Sequence, residues 1–461
     1  MELLLNPVVL SIIVLTTLCL LKFNIIIAII LSTILAGLMA GMQIDVILNT
    51  LIAGPAWNPE APANLRAQGM GGMTHVALSY VLLGALAYGI QVSGLASKIG
   101  KTMEKIVGKS GTVFLIVLTI ISSFSQNLIP IHIAFIPILI PPLLKFMNGL
   151  KLDRRVVACV LTFGLKAPYI LIPAGFGLIF HNILATNMYN NGMPIPVGDI
   201  WPAMVWPAGG MLIGLLIAIF VTYRKEREYE DRPIEGVDES QIDTEGFTIK
   251  HWGALIGAAM AFVVQIAGVR AFGGGVGYWA LIIGATVGII IMLLFGTISY
   301  KNFDTTIKKG IHMMGFIAFV MMVANGYGAV MNATGGVGQL VDFALATVGD
   351  NRVMAVIVMQ LISLLITMGI GTSFGTVPII AAVFVPICAA LGFSPAATVA
   401  LIASGAAVGD AGTPSSDSTL GPTAGLDADG QHDHIWDTCV PTFIHFNIPI
   451  MILGSIAAII L

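Results

Sequence analysis

Long apolar runs alternate with short polar interruptions along almost all of this 461-residue chain. A helix needs about 20 apolar residues to span a bilayer. Runs of that kind predict spans at about 3–21, 24–42, 73–95, 199–223, 251–270, 276–299 and 311–332, with a last one at about 436–461. Two longer apolar blocks in each half contain proline, glycine or polar residues where a plain helix would not have them. They are 111–147 and 155–188, then 353–391 and 396–424. The first of each pair reads as a re-entrant helical hairpin, the second as a broken transmembrane helix.

Basic residues orient these elements, because cytoplasmic loops are enriched in Lys and Arg. Lys98, Lys101, Lys105 and Lys109 precede the block 111–147, and Lys145, Lys151, Arg154 and Arg155 follow it. The block therefore begins and ends on the cytoplasmic side, with Ser125-Gln126-Asn127 and Pro130 at its turn; two short full spans are the alternative. The segment 224–250 is charged in both signs and reads as a solvated cytoplasmic linker between residues 1–223 and 251–461. The second half repeats the plan upside down. Its hairpin turns near Gly371-Thr372-Ser373 from the external side, and both termini lie outside. A shift of 241 lays Gly164 on Gly405 and Pro173 on Pro414. Inverted repeats with polar-interrupted helices mark secondary transporters, since unwound backbone is tolerated in a membrane only where protein or water satisfies it. The expected fold is an all-α polytopic membrane protein of two inverted-topology repeats, with roughly ten full spans plus two hairpins, in a bacterial-type inner membrane.

Composition agrees. Hydrophobic residues make up 57% of the chain and charged ones 10%, against about 25% charged in soluble domains; mean hydropathy is +0.95. A net charge of −3 argues against nucleic acid. Cys19, Cys159, Cys388 and Cys439 show no C-x-x-C spacing and read as buried thiols. The first apolar run has no basic region before it and reads as a retained helix, not a cleaved signal. No G-x-x-x-x-G-K-[ST], H-E-x-x-H or G-x-S-x-G is present, so neither ATP-driven transport by this chain alone nor an enzyme is expected. No cofactor is expected beyond Na+ or H+ as transported or coupling ions. The expected partners are the lipid bilayer and a small cation or solute.

The candidate chemistry concentrates in G-D-A-G-T-P-S-S-D-S-T, Gly409 to Thr419. A carboxylate at a membrane-helix centre costs roughly 2.5–3.5 kcal/mol on insertion scales, so Asp410 and Asp417 read as sodium ligands, proton carriers or both. The alternative is Asp capping a helix at the membrane surface. Thr413, Ser415, Ser416, Ser418 and Thr419 surround them, some as caps and some as ion ligands. Ser125, Gln126 and Asn127 at the first hairpin turn, and Thr372, Ser373 and Thr376 at the second, hold an ion or substrate, or satisfy the turn's own backbone. Lys166, placed at the break of the first broken helix, is a counter-charge to the aspartates or a binder of substrate carboxylate; snorkelling is the alternative. His132, His181 and His445 are proton relays or packed residues. His432 and His434 fall in the acidic loop 427–437, read as solvated.

The stretches G-T-S-F-G-T (Gly371–Thr376) and G-D-x-x-x-P-x-S-D-S-T (Gly409–Thr419) resemble motifs of the NhaC-type Na+/H+ antiporter family. S-Q-N-L-I-P-I-H-I-A-F-I-P (Ser125–Pro137) resembles a branch with its own N-terminal region, some members of which are assigned as amino-acid permeases. The resemblance implies two inverted repeats, a homodimer and an elevator motion. In one respect the chain departs from a symmetric site: Asp410 and Asp417 map at the shift of 241 onto Tyr169 and Phe176. The expected function is Na+/H+ antiport by alternating access. Cation-coupled uptake of a small organic solute such as an amino acid is the alternative, and a passive channel a third.

Overall fold

A computed structural model describes residues 6–21, 23–54, 69–95, 98, 107–108, 110–127, 136, 139–232, 247–272, 277–336, 339, 342, 346, 351–414 and 416–461. Among them all regular structure is helical. The first half comprises α1 (Pro7–Leu20), α2 (Ile25–Met39), α3 (Ile44–Ala53), α4 (Thr74–Val92), α5 (Gly111–Asn127), α6 (Leu144–Gly149), α7 (Arg154–Leu171), α8 (Phe176–Asn190) and α9 (Trp201–Ile217). The second comprises α10 (Ile249–Phe272), α11 (Gly277–Leu294), α12 (Phe303–Ala333), α13 (Arg352–Ile370), α14 (Ser373–Ala390), α15 (Pro395–Ala407) and α16 (Asp417–Leu426). A final helix of mixed α and π turns, α17 (His434–Ile460), follows. By length and composition, six described helices can cross a membrane, and α7 with α8 adds a bent pair at 50°.

The helices sort into two bundles that cut across the two halves of the sequence. The first is α2, α3 and α4 packed with α10, α11 and α12; the second is α5, α7, α8 and α9 packed with α13 to α17. They meet where α12 lies on α14, α8 on α11, and α1 bridges α2 and α13. Fully buried side chains run through both, while large apolar residues such as Leu212, Phe220 and Leu365 face outward, as lipid-facing helices require.

Elements of the second bundle recur 241 residues apart. The helix starts Gly111, Arg154 and Phe176 match Arg352, Pro395 and Asp417. Lys151, the sole non-glycine with positive φ among the described residues (+50°), matches Gly392 (+71°). A Cβ on Gly164 would lie 2.0 Å from Ser122 Oγ, and one on Gly405 2.5 Å from Ser363 Oγ, so each helix pair touches through a glycine–serine contact at the same spacing.

Some sequence expectations are corrected. The short helix α3 lies outside every predicted span; ten residues are too few to register as one. The run predicted at 311–332 begins at Phe303, because Asp304 and the lysines at 308 and 309 ride on the exposed first turns. The helix carrying Lys166 does not break there. It continues through Pro168 to Leu171, and the chain unwinds only around Pro173, where Gly175 takes φ +57°. The segment from Arg224 is not simply solvated: residues 227–232 dock on both halves, as described below. The remainder of the linker, 233–246, lies outside the described residues, as do Pro130, His132 and Ser415.

Candidate functional site

The second bundle contains two chain interruptions that face each other. Helix α15 stops at Ala407 and α16 resumes at Asp417, leaving 408–416 irregular, with Gly409 at φ +87°. Helix α13 ends in the left-handed Gly371 (φ +78°), and Ser373 opens α14 after an extended Thr372. Gly371 is a C-cap of the usual kind, and α14 thereby presents its free N–H groups at that end.

Asp410 is buried in the irregular stretch and accepts four hydrogen bonds. Its Oδ2 takes the Lys166 ammonium and the Ser373 hydroxyl, together with the Ser373 backbone N–H at 2.9 Å. Its Oδ1 takes the Ser416 hydroxyl. The Ser418 hydroxyl donates to the Asp410 carbonyl at 2.8 Å. Lys166 is therefore an internal counter-ion and not a snorkelling lysine. Tyr169 extends the network: its hydroxyl is 2.8 Å from Ser373 Oγ, and its ring lies 5.3 Å from the Lys166 ammonium. A buried carboxylate is tolerated only when paired and bonded on its remaining lone pairs, and Lys166, Ser373 and Ser416 supply those bonds.

A cavity of about 30 Å³ adjoins this pair. That is room for a small ion or one or two waters. Asp410, Asp417, Ser416 and Ser418 line one side, Lys166 and Leu165 another, and Gly371, Thr372, Phe374, Phe176 and Tyr80 close it. Asp417 is the first residue of α16 and only half-buried. The two aspartates thus share one cavity although Pro414 stands between them in the chain. Phe176 and Tyr169, their counterparts 241 residues earlier, also reach this region.

Several other predicted groups serve the backbone. Thr376 donates to the Thr372 carbonyl (2.9 Å), Thr413 to Met368 (3.1 Å), and Thr419 to Thr413 (2.6 Å) and Ser416 (2.9 Å). Ser125, Gln126 and Asn127 end α5. His181 Nε2 bonds the Ile170 carbonyl (2.8 Å) just before the break. His445 Nδ1 bonds the Pro441 carbonyl at 2.7 Å. His434 Nε2 bonds the Pro414 carbonyl at 2.9 Å. No group of three or more His, Cys, Asp or Glu that could hold a metal occurs among the described residues.

A second buried ion pair was hidden in what reads as loop charge. Arg154, fully buried at the start of α7, donates to both Asp429 oxygens at 2.6 Å, to the Leu426 carbonyl at 2.9 Å and to Asn148 at 3.0 Å. The linker clasps it: the Tyr229 ring lies 4.3 Å from the guanidinium, Arg227 bonds Asp437 at 2.9 Å, and Gln431 holds the Glu230 carbonyl at 2.7 Å. Burial pushes the Asp429 carboxyl up, but the Arg154 bonds outweigh it and hold it below the usual carboxylate range. The loop 427–433 is accordingly not solvated throughout, since Asp429 and His432 are buried. One signal existed in the sequence: an arginine at a helix start opposes the helix dipole unless it is paired.

The chain is similar to known proteins over most of its length. Residues 160–456 match a model described as the Na+/H+ antiporter family, and residues 6–107 one described as the Na+-H+ antiporter family. The chain is 46% identical over 402 residues (85% of this chain, 89% of the relative) to "Putative amino acid transporter YuiF" of Bacillus subtilis (strain 168). It is 42% identical over 470 residues (98% and 99%) to an uncharacterized membrane protein of Haemophilus influenzae. The Alcanivorax borkumensis YdaH transporter shares its fold, with a TM-score of 0.58 at 15% identity over 98% of each chain. Neisseria gonorrhoeae MtrF, described with a class of antimetabolite efflux pumps, gives 0.57 at 15% identity over 95% and 94%. With the matched model covering most of its length and close relatives aligned nearly end to end, this multi-pass membrane protein belongs to the Na+/H+ antiporter family of secondary transporters.

Proposed function

We propose that this chain exchanges Na+ for H+ across a bacterial-type inner membrane, with Asp417 and Asp410 as the carboxylates over which the two cations compete. The observation that carries this reading is the charge count of the small cavity. Among the described residues that line it, two carboxylates and one ammonium carry a formal charge of −1. One bound Na+ or one proton neutralises it. An empty site would carry a net buried charge through the membrane, at a cost of several kcal/mol. Both loaded forms are neutral. A carrier that crosses only when loaded with one cation or the other is an exchanger.

The recurrence at 241 residues supports two inverted repeats, and the two bundles, each drawn from both halves, support an elevator motion of the second bundle against the first. Residues 224–250 then face the cytoplasm and both termini the outside. Amino-acid uptake remains the second reading. It is favoured by the fixed opposite charges of Lys166 and Asp410, which suit a zwitterion's carboxylate and ammonium, and by the name of the Bacillus relative. The closed cavity is too small for an amino acid, so this reading requires the site to open.

The test is flux in proteoliposomes with an internal pH dye. External Na+ should alkalinise the lumen, and Asp417→Asn or Asp410→Asn should lower the rate at least 100-fold. Exchange at full rate in Asp417→Asn would remove that residue from the mechanism. Proton movement only when an amino acid is added would establish the second reading instead.

A further inference from the structure

Every described residue lining the cavity belongs to the second bundle except Tyr80, which comes from α4 in the first. The Tyr80 side chain is fully buried, and its hydroxyl has no hydrogen-bond partner among the described residues. A buried unpaired hydroxyl loses its water and gains nothing in return, so each instance calls for an explanation. The ring is held edge-on against Phe176 (centroids 5.4 Å, 89°) and Phe374 (6.1 Å, 85°), two other cavity residues. The helix behind it is equally fixed. A Cβ on Gly84, one turn along α4, would lie 2.4 Å from the Gly310 carbonyl of α12, so the two backbones touch. Tyr80 is thus a rigid hydroxyl-bearing ring on one bundle, in the wall of a cavity that two carboxylates of the other also line.

We propose that Tyr80 is a ligand-binding residue, its hydroxyl closing the site from the first bundle around a monovalent cationic group held by Asp417 and Asp410. The proposal rests on the transport reading above and adds to it the residue that completes the site. A phenol hydroxyl can donate its proton to a carboxylate and offer a lone pair to the cation. That lone pair serves a desolvated Na+ or the N–H of a primary ammonium equally. The aromatic rings around it exclude water and favour a cation over an anion. Because the donor sits on the opposite bundle, the bound cation bridges the two bundles, and letting go of Tyr80 is part of every crossing.

Tyr80→Phe removes one oxygen and leaves the ring contacts intact. Purified wild-type and variant protein are compared by thermal unfolding during titration with NaCl, choline chloride as control, and methylammonium chloride, then by flux in proteoliposomes. The expected result is that Tyr80→Phe without ligand is as stable as wild type or more so, having lost a buried unpaired group. Its half-saturating cation concentration rises about tenfold in both the titration and the flux assay. A shift confined to NaCl identifies the metal ion as the ligand; one confined to methylammonium identifies the amine. Identical titrations for the two proteins would overturn the role of Tyr80 while leaving the transport reading intact. A wild-type protein that responds to neither cation would overturn both.

Discussion

Two buried ion pairs join α7 to the same stretch of the second half, and they are built differently. Lys166 meets Asp410 beside a cavity, by a single ammonium among exchangeable hydroxyls. Arg154 meets Asp429 through two parallel bonds, and its two terminal nitrogens also bond a carbonyl and an amide oxygen under an aromatic ring. An ammonium is a point charge that another cation can replace, whereas a guanidinium fork matches one carboxylate in one geometry. The lesson is that the first pair is suited to exchange and the second to holding. Removing an ordered partner from the clasp should therefore affect stability, and removing one from the cavity should affect transport as well.

The largest effect is expected at Lys166. Lys166→Met leaves Asp410 buried without its counter-ion, which costs about 3–5 kcal/mol, and should abolish measurable flux. Adding Asp410→Asn should restore most of the stability, read by thermal unfolding, but none of the flux. Restored flux would mean the pair is scaffolding, and the comparison would fall.

Arg154→Lys comes next. It keeps the charge but loses the fork, at an expected cost of about 2 kcal/mol with the rate per folded protein within twofold. A large fall in that rate would place the clasp in the transport cycle.

The smallest effect concerns pH. Burial lowers the His432 imidazole to about 4, and its Nε2 bonds Thr438 at 2.7 Å. The unfolded chain binds a proton near pH 6.5 that the folded clasp refuses. This stabilisation is present above pH 6.5 and is lost progressively as pH falls toward 4, about 1–2 kcal/mol of it by about pH 5. Melting temperatures of His432→Gln measured from pH 7 to 4.5 should show a shallower decline than wild type; parallel curves would remove His432 from the clasp.

Much of this was legible in the sequence because membranes penalise exceptions. The carboxylates, the 371–373 turn and the broken helices all interrupt apolar runs, and interruption is what hydropathy detects. The shift of 241 aligned Gly164 with Gly405, and both prove to be contact glycines. What stayed hidden lacked that contrast. Tyr80 sits in T-H-V-A-L-S-Y-V-L-L, where an aromatic is ordinary, and only the approach of α4 to the other bundle gives it a role. Arg154 and Asp429 looked like loop charges because each is polar in a polar segment; their pairing spans 275 residues of sequence. The break was misplaced to Lys166 because Pro168 is a poor guide where the helix tolerates it and unwinds at the Pro173–Gly175 stretch.

The tethered ammonium of Lys166 also bears on how the protein responds to membrane voltage. A potential of 100 mV does about 2.3 kcal/mol of work on each elementary charge it moves across the membrane. Under the exchange proposed above, Lys166 cancels Asp410 and a site holding one cation on Asp417 would move no net charge, so the potential would do no work on either loaded crossing. The exchange would then run to the ratio of the two ion gradients alone, and the cell's voltage would neither drive it nor stall it.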